Sequence, residues 1–377
     1  MPIMTGLSGN EMYCLAQKGF QPGELVIGNA VHSLGFLGGI AAGFQNVIGG
    51  EVTEITEIIS EGRHESQKRL LAEAVRHGAQ GISSVTSELR TMQGNAEFLS
   101  VASCIHDPRQ QAPRVPFSTS GNGQELYCLM DCGYDPRQFV MGNVAYSVGL
   151  ARGLFGALKT LARGEIKEFS DIFNKTRHLA LDRITAEARA AGANAVVGIE
   201  TRIMPFKGIH EMLMVGTAAT HPGLTGGQEP VTSDLTAEEM WNLASLGYMP
   251  QKLVLGTAVY SLGLVGGIKA MFKSLSRGEI SDLTSLIYDA REHAIGIIKD
   301  EANAIGADDV VGIRTHIHEM GGLIEFMAIG TAVKKSPAAK TLTAQLPPQA
   351  IIKDRDTWIS YDPMAFAVVG DGDEGNS

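Results

Sequence analysis

Hydrophobic and polar positions follow the same order three times along the chain, and the third copy shows that order best. Thr236 and Glu239 have the spacing of a capping box, and apolar residues recur at helical spacing after them. The pattern then predicts a strand, an apolar helix-like run, a long amphipathic helix and a hairpin of two strands: 252–260, 261–275, 279–305, 309–318 and 323–333. This order predicts a small α+β module in which a mainly antiparallel sheet packs against the long helix.

The copies lie 114 residues apart, since the matching segments begin at Glu24, Gln138 and Lys252. The match continues without insertion or deletion from about residue 11 to residue 333. Self-similarity at one fixed period is the signature of tandem modules. The sequence therefore predicts three modules and a C-terminal tail: 10–106, 124–220, 238–334 and 335–377.

The segments outside the modules have a different composition. Residues 106–123 and 221–234 are rich in Pro, Gly, Ser and Thr, which predicts linkers. The start and the end of the tail have a composition typical of disorder. Its middle, Trp358–Val369, is apolar, and we expect it to dock on a neighbouring chain or on a protein partner.

Three motifs of the repeat resemble a known family. These are VLGTAVYSLGLVGG from Val254, GADDVVGIRTHI from Gly306 and FMAIGTAVKK from Phe326, and module 2 has close versions of them. They resemble the YbjQ-like family, which is often labelled as a heavy-metal-binding domain, over about three quarters of the chain. The resemblance implies a dodecin-like α+β fold and self-assembly into pentameric rings, and it brings no established activity.

Composition excludes several classes of protein. The 377 residues carry a formal charge of −10, which argues against general nucleic-acid binding, and four cysteines are too few for a disulfide scaffold. The N-terminus lacks the regions of a signal peptide, so we expect a cytoplasmic protein. Residues 25–50 contain no charged residue, which taken alone is long enough for a membrane span. The matching segments of the other modules do carry charges, so no membrane span is expected.

Charged residues recur in register on the long helix and on the last strand. They are Arg63, Arg177, Arg291, Glu97, Glu211 and Glu325. An unpaired charge on an apolar strand is costly, so we expect Arg–Glu pairs that fix helix against sheet or subunit against subunit. Two other roles remain open: a ring of carboxylates that binds cations or small molecules, and acid–base catalysis by paired carboxylates. No His, Ser or Cys recurs beside them as a nucleophile.

Small residues recur at the junction between the first strand and the helix-like run. Ser33, Ser147 and Ser261 predict helix N-caps, because a nucleophile elbow needs G-x-S-x-G. Glycine permits close approach of two backbones, so a second set of residues is expected to form contacts between subunits. This set is Gly35, Gly39, Gly149, Gly153, Gly263 and Gly267.

Soft metal ligands do not recur among the modules. Cys128 and Cys132 have no counterparts in module 3, and His316 and His318 have none in modules 1 and 2. A structural zinc site needs four such ligands. We therefore expect core thiols and surface histidines, with no metal and no cofactor.

The sequence favours a non-enzymatic protein that assembles with itself. We expect a ring-like homo-oligomer, a pentamer, in which the three modules of a chain contribute to three stacked rings. The alternative is a module that binds metal ions or small molecules at subunit junctions through the recurring Glu and Arg.

Overall fold

The computed structural model describes residues 2–33, 50–93, 95–147, 164–206, 209–224, 229–261, 281–320 and 323–351. Within them the predicted α+β modules are confirmed. Module 1 contains α1 (Gly9–Gln17), β1 (Gln21–Ser33), β2 (Gly50–Glu51), α2 (Thr53–Arg76), β3 (Gly81–Ser83), β4 (Glu88–Met92) and β5 (Asn95–His106). Module 2 with the strand before it contains β6 (Phe117–Ser118), α3 (Gly123–Asp131), β7 (Asp135–Ser147), β8 (Gly164–Glu165), α4 (Lys167–Ala190), β9 (Ala195–Phe206) and β10 (Ile209–Thr220). Module 3, the strand before it and the tail contain β11 (Val231–Thr232), α5 (Ala237–Ser245), β12 (Tyr248–Ser261), α6 (Ser281–Ala304), β13 (Asp309–Met320), β14 (Leu323–Lys335) and α7 (Pro348–Ile351).

The short first helix of every module begins with a capping box. The capping residues are Ser8, Asn122 and Thr236, and each side chain accepts a hydrogen bond from the backbone of a glutamate three residues later. That glutamate bonds back to the backbone of the capping residue, so two free N–H groups of the helix end are satisfied. These three helices pack in a row, with α3 between α1 and α5.

The central sheet of each module is antiparallel. The last strand lies in the middle, so that β10 pairs with both β7 and β9, and β14 pairs with both β12 and β13. In module 1 the matching outer strand is split into β3 and β4, and both pair with β5. Gly198 and Gly312 have φ angles of +64° and +66° at irregularities in β9 and β13, and Ser84 has +57° at the matching position.

The long helix lies against the first strand of its own module, α2 on β1, α4 on β7 and α6 on β12. Glycine recurs on these strands at the point of closest approach, at Gly28, Gly142 and Gly256. A Cβ at Gly142 would collide with the carbonyl oxygen of Ala180 in α4. Glycine is therefore required for this packing.

Consecutive modules share their sheets. The strand β2, which precedes α2, pairs with β7 of module 2, and β8 pairs with β12 of module 3 in the same way. The long helix of each of the first two modules also contacts the first strand of the next module. The three modules of the chain therefore lie side by side in contact, and the expected stack of rings stays a prediction.

The linkers and the beginning of the tail are more ordered than their composition predicts. The first linker forms β6, which pairs with β3, and the second forms β11, which pairs with β9. In the tail, the Leu342 N–H donates to the carbonyl oxygen of Asp131 at 2.8 Å, and Leu346 and Ala350 are buried. The prediction of disorder is therefore wrong for the beginning of the tail, because tertiary partners satisfy backbone groups that the sequence alone leaves open. The apolar part of the tail, 358–369, lies outside the described residues.

Candidate functional site

Two of the predicted arginines pair with glutamates of the following module. Arg63 on α2 donates two hydrogen bonds to Glu211 on β10, Nε to Oε1 at 3.0 Å and Nη2 to Oε2 at 2.7 Å. Arg177 on α4 repeats this contact with Glu325 on β14, at 3.0 Å from Nε and 2.7 Å from Nη2. All four side chains are fully buried. The pairs therefore fix the helix of one module against the sheet of the next.

Each buried guanidinium has further partners. Arg63 Nη1 donates to the carbonyl oxygen and the hydroxyl of Ser87 at 3.1 and 2.9 Å. Arg177 Nη2 donates to the Tyr146 hydroxyl at 2.8 Å, and its guanidinium carbon lies 4.3 Å from the centre of that ring. Burial alone would lower the pKa of Arg177, but the charge of Glu325 raises it above its ordinary value. Such bidentate, charge-assisted bonds compensate for the loss of hydration.

A second polar contact crosses the same boundary. His64 Nε2 lies 2.6 Å from Glu187 Oε1, and His178 Nε2 lies 2.6 Å from Glu301 Oε1. The hydrogen bond to the glutamate raises the pKa of each histidine above 6.5, against the effect of burial. The other oxygen of Glu187 accepts the Met141 N–H at 2.9 Å. One carboxylate on α4 therefore contacts both α2 of module 1 and strand β7 of its own module.

Backbone contacts complete the boundary. The Val52 N–H donates to the carbonyl oxygen of Ala145 at 2.8 Å, and the Thr56 hydroxyl accepts the Ala145 N–H at 2.9 Å. One module later, Ile166 and Ser170 make the same two contacts with Val259, at 2.8 and 2.9 Å. We call this set of contacts the module junction: the Arg–Glu pair, the His–Glu pair and the strand extension. It occurs twice, in the same direction along the chain.

Glu97 and Arg291 are not brought together. Arg291 is exposed on α6 and Glu97 is half-buried on β5. Among the described residues neither has an ion-pair partner. In the repeat, Arg291 occupies the position of Arg177 and Glu97 that of Glu211.

The other predicted sites have a plain outcome. The six glycines expected at subunit contacts lie outside the described residues. Ser33, Ser147 and Ser261 end strands β1, β7 and β12, and the residues that follow them, where helices were predicted, also lie outside the described residues. The glycines are Gly35, Gly39, Gly149, Gly153, Gly263 and Gly267.

The four cysteines are buried free thiols. Burial raises the pKa of Cys14 to about 11 and that of Cys132 to about 12, so both are protonated at neutral pH. The rings of His316 and His318 lie parallel on β13, with their centroids 6.4 Å apart. In the part of the chain that the structure describes, no three Cys, His, Asp or Glu residues are grouped as metal ligands.

Sequence reasoning paired arginine with glutamate but did not identify which modules each pair joins. It missed the His–Glu contact altogether. The signal was present, because His64 and His178 each follow a recurring arginine and Glu73, Glu187 and Glu301 recur at one position. Only the packing of one module on the next brings these positions together.

None of the described helices is both long and apolar enough to cross a bilayer. Curated relatives match the chain over different lengths. An encapsulin nanocompartment protein of Mycobacterium tuberculosis (strain ATCC 25618 / H37Rv) is 31% identical over 240 residues, which are 60% of this chain and 88% of that protein. UPF0145 proteins match about one module: that of Methanoregula boonei is 38% identical over 25% of this chain and 78% of its own, and that of Thermotoga maritima is 43% identical over 21% and 76%.

A family model with the description "Putative heavy-metal-binding" matches the chain three times, at residues 20–104, 135–221 and 249–336. Each match contains the long helix and the three main strands of one module. The chain therefore belongs to this family, the YbjQ-like family, and carries three copies of its domain.

Proposed function

We propose that this is a non-enzymatic protein that assembles with itself into a closed ring by repeating its module junction between chains. The observation that carries the proposal is the use of one junction twice, in one direction, within the chain. A contact between two different surfaces leaves one surface unused at each end, and repetition gives a ring when its rotation closes.

The comparison supports assembly. The mycobacterial relative is named as a nanocompartment protein, and it aligns with 240 residues of this chain, more than two modules. The recurring charged residues support a role in assembly over catalysis, since Glu211 and Glu325 are fully engaged by arginines. The same engagement disfavours the alternative of a ligand site at these carboxylates. Four buried free thiols fit the reducing environment of a cytoplasm.

The junction restricts the size of the ring. A ring of whole chains contains a multiple of three modules, so a ring of five modules cannot form from them. The family resemblance implies a ring of five modules, and the multiple of three nearest to five is six. We therefore propose a ring of two chains, and the five-chain ring expected from the sequence would contain fifteen modules.

Native mass spectrometry of the full chain tests this proposal. A ring of two chains has a mass of about 80 kDa, and a ring of five chains has about 200 kDa. Either species supports closed assembly, and the mass decides between the two sizes. A mass of 40.1 kDa at every concentration up to the solubility limit would refute self-assembly.

A further inference from the structure

Module 1 exposes an apolar sheet face, whereas the matching faces of modules 2 and 3 are buried. Leu25, Ile27 and Val31 on β1 are 40%, 50% and 60% exposed. The matching residues of module 2 are at most 3% exposed, and those of module 3 are completely buried: Phe139, Met141, Ala145, Leu253, Leu255 and Val259. We call Leu25, Ile27, Val31 and Glu97 the open sheet face. Its side chains match those of a junction, but among the described residues no module covers them; the N-terminal segment lies beside Leu25 alone, whose N–H donates to the Met4 carbonyl oxygen.

The long helix of module 3 presents the opposite surface. Tyr288 on α6 is 62% exposed, Arg291 is exposed and Ile295 is partly exposed. In α4 the residues that match Arg291 and Ile295 are Arg177 and Leu181, and these are 0% and 5% exposed because module 3 covers them. We call Thr284, Tyr288, Arg291 and Ile295 the open helix face.

The two open faces complement each other at the arginine–glutamate position and at the hydroxyl position, whereas Glu292 stands where the internal junctions have a histidine. Among the described residues, Arg291 on the helix face has no carboxylate partner and Glu97 on the sheet face has no arginine partner. Thr284 carries a hydroxyl at the position of Thr56 and Ser170, which accept a backbone N–H from the next module in both internal junctions. The strand β1 is also an edge strand among the described strands, whereas β7 and β12 are each extended by a strand from the preceding module.

We infer that the occupant of the open sheet face is a second copy of this chain, docked by its open helix face. Arg291 of one copy forms the bidentate pair with Glu97 of the next, and the Thr284 hydroxyl accepts the Val31 N–H. The inference rests on the proposed self-assembly and names the surfaces that carry it. The occupant must bring a guanidinium flanked by apolar side chains, and α6 has this arrangement at the required spacing.

Charge reversal tests the contact directly. Arg291→Glu places two carboxylates against each other, and Glu97→Arg places two guanidinium groups together. Each variant alone should associate at least about 100-fold more weakly, because one buried charge loses its partner. Mixed in equal amounts, the two variants bring opposite charges together wherever one variant meets the other, so rings of two unlike chains should form. The double variant on one chain should assemble by itself.

Arg202→Glu is the matched control, since it has the same change in charge at an exposed arginine on neither open face. Native mass spectrometry gives the masses, and far-UV circular dichroism establishes that each variant is folded. Reassembly of the mixture or of the double variant supports the pairing. Folded single variants that assemble like the wild type would overturn the pairing and leave the proposed function standing, whereas a monomeric wild type would remove both.

Discussion

The buried pair of Arg177 and Glu325 should dominate the stability of the boundary between modules 2 and 3. Replacing Glu325 with leucine leaves the fully buried guanidinium of Arg177 with one oxygen acceptor among the described residues, the Tyr146 hydroxyl. Removal of one partner of a buried pair costs about 3–5 kcal/mol. With a slope of about 2 kcal/mol per molar urea, the unfolding midpoint falls by about 1.5–2.5 M.

The double variant separates the charge from the packing. Arg177→Met with Glu325→Leu removes both charges and keeps apolar volume, so it should recover most of the stability or exceed that of the wild type. Urea unfolding followed by circular dichroism measures all three proteins, and the two substitutions should be strongly non-additive.

Glu200→Leu is the control, because Glu200 is also on a strand and paired with an arginine but is 49% exposed. Its cost should be at most about 1 kcal/mol. If Glu325→Leu costs no more than this control, or if the costs of the two substitutions at the pair simply add, the account of the junction is incorrect.

Three further predictions concern the modules and the junctions. Gly198→Ala should destabilise the protein by about 1–2 kcal/mol in urea unfolding, because φ is +64° while a Cβ would meet no atom within 4 Å. His178→Gln should destabilise the chain at acidic pH only: Glu301 raises the pKa of His178, so its contribution is complete below pH 6.5 and is lost as pH rises through the raised pKa. An equal loss at pH 9 would contradict this. Glu292 occupies the place of His64 and His178 and would face Glu73 of the next copy, so Glu292→His should tighten association about 5-fold at pH 6, measured by the concentration dependence of mass.

The pattern of the repeat predicted the content of each module well. The capping box at Thr236 and Glu239 is present, and Gly247 and Gly306 follow their helices with positive φ angles. Local rules suffice for such features, because capping and the left-handed conformation depend on a few neighbouring residues. Strand ends were less accurate, and β12 extends from Tyr248 to Ser261 where 252–260 was predicted.

The charged residues show why the site needed tertiary structure. The register of the repeat indicated that arginine and glutamate belong together, but it gave the same weight to a pair within one module and to a pair between two. In the structure each pair joins residues 148 positions apart, which is the repeat period of 114 residues plus 34. No local sequence pattern predicts a pairing at this separation, because the pairing depends on how one module packs on the next.

The sequence by itself determined three modules, their α+β content and the recurring charges, since a fixed period and local spacing need no partner to be visible. Only the tertiary structure decided which surfaces meet, that linkers add strands to the sheets, and that Glu97 and Arg291 lack ion-pair partners among the described residues. The physical reason is that burial of a charge is a property of the packed boundary: Arg177 and Arg291 have the same place in their modules, and only Arg177 is covered by a following module.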